Sequence, residues 1–316
     1  APKRGRLALP AMSALRVSAT IAAALAEGRP VVALESSVLA QGLPIPANRD
    51  AAERMTRAVE RAGALPAITA VVRGDTTASA ALGITAGELE RFLARTGVRK
   101  VAARDLAVAC AQNADGATTV AASLCIASVA GAQVFSTGGI GGVHRDAPFD
   151  ESGDLVELAR TPMVVVCTGA KAILDLPATL ERLETLGVTV LGYRTDELPG
   201  FFTRTTGLRL GARADSAREV AAVFRASLQL GRRQALLVVQ PPPDDVALPQ
   251  TVVDDAVESA LNQARREGIR GAAVTPFLLA AVMAATEGRS LQANLGLLEA
   301  NAGLAGEIAV ALAEGG

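Results

Sequence analysis

An α/β fold, built on a mostly parallel sheet with helices on both faces, is what this sequence predicts. Short β-branched runs alternate with longer helical patterns along the 316 residues, the order expected when helices cross over between parallel strands. Several strand runs are apolar at every position, as strands covered on both faces are. Hydrophobic residues make up 50 % of the chain, enough for the large core such a sheet encloses.

The first expected strand is Val31-Val32-Ala33-Leu34. An amphipathic helix over residues 48–62 follows, then a second strand, Ala67-Ile68-Thr69-Ala70-Val71-Val72. Further strands are expected over residues 133–135, 163–166, 188–191 and 236–239, with amphipathic helices over 216–230 and 254–268. Each assignment follows the period of the apolar positions. Beyond Pro241-Pro242-Pro243 nearly everything reads as helix. That triplet is the best candidate for a domain break, but the helices after it are too apolar to stand alone. Residues 13–316 therefore read as one domain with a helical C-terminal layer. Residues 1–12, ending in Met12, read as a disordered or tag-derived leader or an alternative start. No internal repeat is visible.

Composition narrows the function. A formal net charge of −1 gives no electrostatic reason to expect a nucleic-acid polymer or an anionic membrane as partner. Tyr193 is the only tyrosine and tryptophan is absent, which leaves little to stack the bases of a single strand. Cys110, Cys125 and Cys167 lie far apart in apolar segments and read as core residues of a reduced, cytoplasmic protein. The uncharged stretches 116–143 and 271–286 carry Gly, Ser, Thr or Pro and read as buried helices, not membrane spans. Residues 1–11 hold no apolar region of signal-peptide type.

Four places carry candidate chemistry. In Met163-Val164-Val165-Val166-Cys167-Thr168-Gly169-Ala170-Lys171 an apolar strand ends in a small-residue turn and hands over to a helix. Lys171 then sits at the carboxyl edge of a sheet, where open α/β proteins bind ligands. Apolar surroundings there lower an ammonium pKa and free a neutral nucleophile; the alternative is a helix-start lysine facing water. Glu35 ends the strand Val31–Leu34 in the same way and suits a general acid, or else pairs with an arginine. The loop Ser136-Thr137-Gly138-Gly139-Ile140-Gly141-Gly142-Val143-His144-Arg145 lets backbone amides approach an anion or sugar, and it carries the only histidine, His144. Asp150, Glu151 and Asp154 follow, oxygen ligands of the kind that suit Mg²⁺ or Mn²⁺, or a solvated acidic loop. Lys100 stands near a strand edge, ahead of a helix start at Gly116-Ala117-Thr118-Thr119-Val120.

In this order the segments resemble the pseudouridine-5′-phosphate glycosidase family, also called indigoidine-synthase-A-like proteins. The resemblance is carried by Ala33-Leu34-Glu35-Ser36-Ser37 with Gly42-Leu43-Pro44, Lys100-Val101 with Arg104-Asp105-Leu106, and residues 116–122. It continues through residues 137–145, Gly169-Ala170-Lys171, Gly192-Tyr193-Arg194-Thr195 and Phe201-Phe202 to Thr275-Pro276-Phe277-Leu278-Leu279 and Asn294. It implies a three-layer α/β/α sandwich with a mixed, mostly parallel sheet, assembled as a homotrimer. The implied activity is reversible cleavage of the C–C glycosidic bond of pseudouridine 5′-phosphate, giving uracil and ribose 5-phosphate. Lys171 would form an imine with C1′ of the opened ribose, and Glu35 would move protons on the ring oxygen and the base. Asp150 would hold Mn²⁺ or Mg²⁺ through waters, and Ser152, Gly153 and Asp154 would contact the sugar phosphate. Lys100, Thr119, Val120 and Asn294 would line the sugar and base site, with His144 a second-rank candidate.

Three departures from the family pattern lie near the expected pocket. Gln41 stands where histidine is usual, Ala300-Asn301 replaces a pair of asparagines, and the loop between His144 and Asp150 is short. They put the identity of the base in question. A C-glycosynthase joining ribose 5-phosphate to an aromatic polyketide in antibiotic biosynthesis is the rival reading. A non-catalytic sugar-phosphate-binding protein is a third, disfavoured because binding alone needs no nucleophile.

Overall fold

The computed structural model describes residues 14–145, 149–269 and 274–315. The expected leader, residues 1–12, lies outside them, as does most of the short loop after His144. Strands β1 (Leu15–Val17), β2 (Val31–Leu34), β3 (Leu65–Val72) and β4 (Ser79–Leu82) lead into β5 (Arg99–Val101), β6 (Gly116–Thr118) and β7 (Val134–Ser136). After them come β8 (Val143–His144), β9 (Val164–Cys167), β10 (Leu174–Asp175), β11 (Thr189–Tyr193), β12 (Arg213–Ala214) and β13 (Leu236–Val239). The first helices are α1 (Ala19–Ala26), α2 (Ala47–Arg61), α3 (Ala86–Ala94), α4 (Leu106–Ala111), α5 (Val120–Ala130) and α6 (Gly153–Leu158). The rest are α7 (Leu176–Thr185), α8 (Ala217–Gln229), α9 (Gln250–Glu267), α10 (Val274–Ala285) and α11 (Arg289–Ala313).

The main sheet runs β1-β4-β3-β2-β7-β9-β13-β11-β12, with β5 and β6 attached through β3. From β3 to β12 every pairing on this path is parallel, whereas β4 and β6 pair antiparallel with β3. The sheet is thus mixed and mostly parallel, as expected. Strands β2, β9 and β13 are buried at every residue, because α2, α11 and α8 cover one face and α5 with α6 packs on the other. Helix α11 crosses β2, β7 and β9. It lies so close to α2 that a Cβ at Gly306 would come within 2.6 Å of the Ala62 Cβ. By length and composition α11 could cross a membrane, but 61 % of its apolar window is buried inside the protein, as in a core helix.

Two expectations change. Within residues 116–143 only α5 is helical; the rest supplies β6, β7, the glycine loop and β8. No helix begins at Lys171 either. Chain after it forms β10, paired antiparallel with β8, and α7 starts at Leu176. Its start is set by Asp175, whose Oδ1 accepts the Ala178 N–H at 3.0 Å, and by a proline in the first turn.

Candidate active site

Because β2, β7, β9 and β13 are parallel neighbours, their carboxyl ends open on one edge, where ligands bind in such sheets. A cleft of about 540 Å³ lies there. Its lining includes Glu35, Ser37, Gln41, Lys100, Gly138, Gly139, Lys171, Phe201, Leu279 and Asn294. Five residues singled out from the sequence thus converge, from segments as distant as β2 and α11. Two larger surface depressions run along α9, and neither includes a lysine.

Glu35 leaves β2 almost completely buried, 5 % exposed. The Ser37 hydroxyl donates to its Oε2 at 2.5 Å and the Thr137 hydroxyl donates to its Oε1. Its hydrogen-bond partners are therefore two hydroxyls and not an arginine. Behind it Ser36, Thr69, Thr118 and Ser123 form a buried hydroxyl cluster, in which Ser36 Oγ accepts the Thr118 N–H at 2.9 Å. That cluster anchors the turn that aims Glu35 into the cleft.

Lys171 is half-buried, and its backbone is tied to the glycine loop. Its N–H donates to the Ile140 carbonyl at 3.1 Å, and the Ile140 N–H donates to the Gly169 carbonyl at 3.1 Å. Gly169 has φ +79°, and a Cβ there would stand 2.6 Å from the Pro199 carbonyl oxygen, so this turn needs glycine. Lys100, exposed at the cleft mouth, has a lowered pKa. Desolvation is the main cause and repulsion from Lys171 adds to it, while Asp154 and Glu35 pull the other way. The two lysines and two acids therefore share one electrostatic neighbourhood. Burial pushes the Cys167 thiol up to about 12, which keeps it a neutral core residue.

The three acids after the glycine loop part company. Asp154 is buried and accepts the Ala121 N–H at 2.9 Å and the Gly141 N–H at 2.8 Å, clamping the glycine loop to the start of α5. Glu151 pairs with Arg182 at 2.9 Å. Asp150 stays half exposed, with His144 Nδ1 3.3 Å from its Oδ1. Among the described residues no group of three His, Cys, Asp or Glu could hold a metal, so the expected acidic cluster reduces to one carboxylate. Ser152 caps α6, its Oγ accepting the Asp154 N–H at 3.2 Å, and Gly153 is the first helical residue. Thr119 takes the N-cap position of α5, ahead of the buried Val120.

Buried polar atoms without a partner concentrate here. Gln41 Oε1, Thr119 Oγ1, Ser136 Oγ, His144 Nε2 and Asn294 Oδ1 are among them, on segments that build or flank the cleft; the others found belong to Arg16, Arg91 and Arg95. Such atoms are rare in native proteins and mark places completed by water or ligand.

Ser37, Thr137 and Phe201 stand in the sequence only as parts of family motifs and Asn301 only in a departure from the family pattern; the structure gives each a place at the site. Phe201 has φ +68° and its ring lies against Gly139, where a Cβ would be 2.7 Å away. Asn301 is fully buried; its Nδ2 donates to the Thr137 carbonyl at 2.9 Å and to Thr168 Oγ1 at 3.0 Å, and its Oδ1 accepts from Gln240 Nε2 at 2.9 Å. One amide thus ties together the ends of β7, β9 and β13. Asn301 and the pocket residue Asn294 are seven residues apart, two turns along one face of α11, a spacing that could have revealed the pairing. Asn301→Leu should strand several buried partners and cost about 2–3 kcal/mol. Thermal denaturation should show a fall of several degrees, and kcat should drop about tenfold with KM little changed. An unchanged kcat would confine Asn301 to a structural role.

Residues 20–311 match the family model for indigoidine synthase A like proteins. A pseudouridine-5′-phosphate glycosidase of Gemmatimonas aurantiaca is 63 % identical over 300 residues, covering 95 % of this chain and 97 % of the relative. The enzyme of that name from Herpetosiphon aurantiacus is 48 % identical over 303 residues, covering 95 % and 99 %. Among solved structures, prealnumycin C-glycosynthase AlnA in complex with ribulose 5-phosphate superposes with a TM-score of 0.87 at 40 % identity, covering 96 % of this chain and 98 % of that one. An indigoidine synthase A-like protein from Thermotoga maritima gives 0.86 at 34 % identity, covering 95 % and 96 %.

Proposed function

From the premise that this chain belongs to the indigoidine synthase A-like family, we propose that it reversibly splits pseudouridine 5′-phosphate and water into uracil and ribose 5-phosphate. The observation that carries this is the convergence of Lys171, Lys100 and Glu35 on one cleft at the carboxyl edge of the sheet. Identity of 63 % to a pseudouridine-5′-phosphate glycosidase, against 40 % to a C-glycosynthase, favours a pyrimidine over a polyketide acceptor.

In this reading Glu35 gives a proton to the ring oxygen as the C1′–O4′ bond opens, and the neutral amine of Lys171 bonds to C1′. The nitrogen lone pair then expels the base at carbon, where the base takes up a proton. Water hydrolyses the remaining iminium to ribose 5-phosphate and the free lysine. Ser37 and Thr137 hold the carboxyl of Glu35 in place. The Glu35 carboxylate left by the first transfer takes the proton that the amine sheds on bonding and returns it to the base carbon. At the other end, Lys100 and the N-terminus of α5 with the unpaired Thr119 hydroxyl suit the 5′-phosphate; Val120 and Ser152 to Asp154 flank that end.

A single half-exposed carboxylate, that of Asp150, suits a hard dication that keeps most of its waters. Asp150, half exposed with one histidine contact, would hold Mn²⁺ or Mg²⁺ in this way. The ion would supply positive charge next to a phosphorylated sugar. Asp150→Ala should remove the dependence on divalent ion: wild-type rate should climb as Mn²⁺ is titrated into stripped protein, while the variant stays flat and about tenfold or more slower. The same reading carries a homotrimer working in the cytoplasm, checked by the mass of the purified protein in solution. Release of uracil from pseudouridine 5′-phosphate, followed by chromatography, tests the function itself. Absence of release together with coupling to a polycyclic phenol would favour the C-glycosynthase.

A further inference from the structure

We propose that Gln41 is the residue that reads the base, its side-chain amide accepting a ring N–H of a uracil-type base that lies against the Phe201 ring. This rests on the reading above of a ribose 5-phosphate imine at Lys171, and it concerns the other half of the same cleft.

Gln41 comes from a π-helical turn, Val38–Gly42, that directly follows the Glu35 segment. It lines the cleft, and its Oε1 is buried with no partner. Asn294, reaching in from α11, lines the same cleft and leaves its Oδ1 in the same state. Each unpaired buried acceptor is costly, so a ligand carrying N–H donors gains by pairing with them. Two acceptors match a ring with two N–H groups. Uracil joined to ribose through C5 keeps both N1–H and N3–H, whereas uracil joined through N1 keeps only N3–H. The pair of amides therefore counts donors, and it favours the C-linked base over its N-linked isomer. A polycyclic acceptor without N–H groups would leave both oxygens unpaired.

Phe201 supplies the second, independent observation. A positive φ, +68°, on a bulky residue that is only 2 % exposed is a strained conformation, of the kind that clusters at ligand sites. Phe202 packs edge-on against its ring at 4.7 Å between centroids and 70° between planes. Gly139 lets the ring approach the chain closely. The result is a fixed apolar wall beside the cleft, suited to a planar base.

The test compares turnover of pseudouridine 5′-phosphate with that of its N1-methyl and N3-methyl derivatives, using the intact protein. Wild type should disfavour at least one methyl derivative by about tenfold or more. Gln41→Met, similar in length but without the acceptor, should lose activity on the parent by a like factor and lose the preference. Gln41→Glu keeps an acceptor and should keep the preference. Retention of the preference in Gln41→Met, or its loss in Gln41→Glu, overturns the proposal. Borohydride trapping of ribose 5-phosphate, a half-reaction in which no base takes part, is run alongside. Failure of wild type to trap the sugar would defeat the imine reading and not the assignment of Gln41.

Discussion

Lys171→Ala should abolish the borohydride-trapped adduct with ribose 5-phosphate and lower uracil release by about 10³-fold or more. The side chain contributes nothing to the surrounding hydrogen bonds, which run through its backbone: the Lys171 N–H to the Ile140 carbonyl, and the Gly169 carbonyl to the Ile140 N–H. Both survive truncation, so the melting temperature should stay close to that of wild type. Lys171→Arg should fail equally, because a guanidinium stays protonated at any working pH and offers no lone pair. The two variants together separate a need for positive charge from a need for a nucleophile. Peptide mapping of the reduced adduct assigns its position. An adduct mapped to Lys100 instead, or turnover surviving in Lys171→Ala, would remove the amine from its proposed role.

Much of this site is legible in the sequence because its parts stand at strand ends. Val31–Leu34 and Val164–Cys167 are apolar throughout, so period and composition identify them, and the polar residues just beyond are at the sheet edge by geometry alone. Among the strands that escaped notice, Ser79–Leu82, Arg99–Val101 and Gly116–Thr118 are short and made largely of small or charged residues. Their pairing with β3 and with one another comes from tertiary context that no local pattern carries. The parting of the three acids was equally hidden, since Asp154 finds its partners 13 and 33 residues back along the chain. Nothing in the run Gly200-Phe201-Phe202 announces a positive φ at the phenylalanine, when a glycine stands next to it. The fold-level reading survives such misses because the six expected strands are themselves the contiguous parallel run β3-β2-β7-β9-β13-β11. The site-level reading is more fragile, since each of its contacts is made once.

Glu35→Gln should leave sugar binding and trapping at Lys171 largely in place while slowing uracil release by about 10²- to 10⁴-fold, the range for removing a general acid. In wild type two hydroxyl donors converge on the carboxyl, Ser37 on Oε2 and Thr137 on Oε1. An amide of the same shape offers one acceptor and one NH₂ group. One of the two hydroxyls must then accept from the NH₂ group, and its own proton needs a new acceptor, which water has little access to supply with Glu35 only 5 % exposed. Some loss of stability is therefore expected, about 1–2 kcal/mol for one mismatched buried hydrogen bond, and a thermal melt measures it. Thr137→Val separates the two effects, since it removes one donor but keeps the acid. It should cost comparable stability and far less rate. Borohydride trapping of ribose 5-phosphate at Lys171 gives a further readout and should persist in both variants. If instead both variants slow the reaction alike, the proton is handled by another group, and Glu35 serves only to shape the cleft.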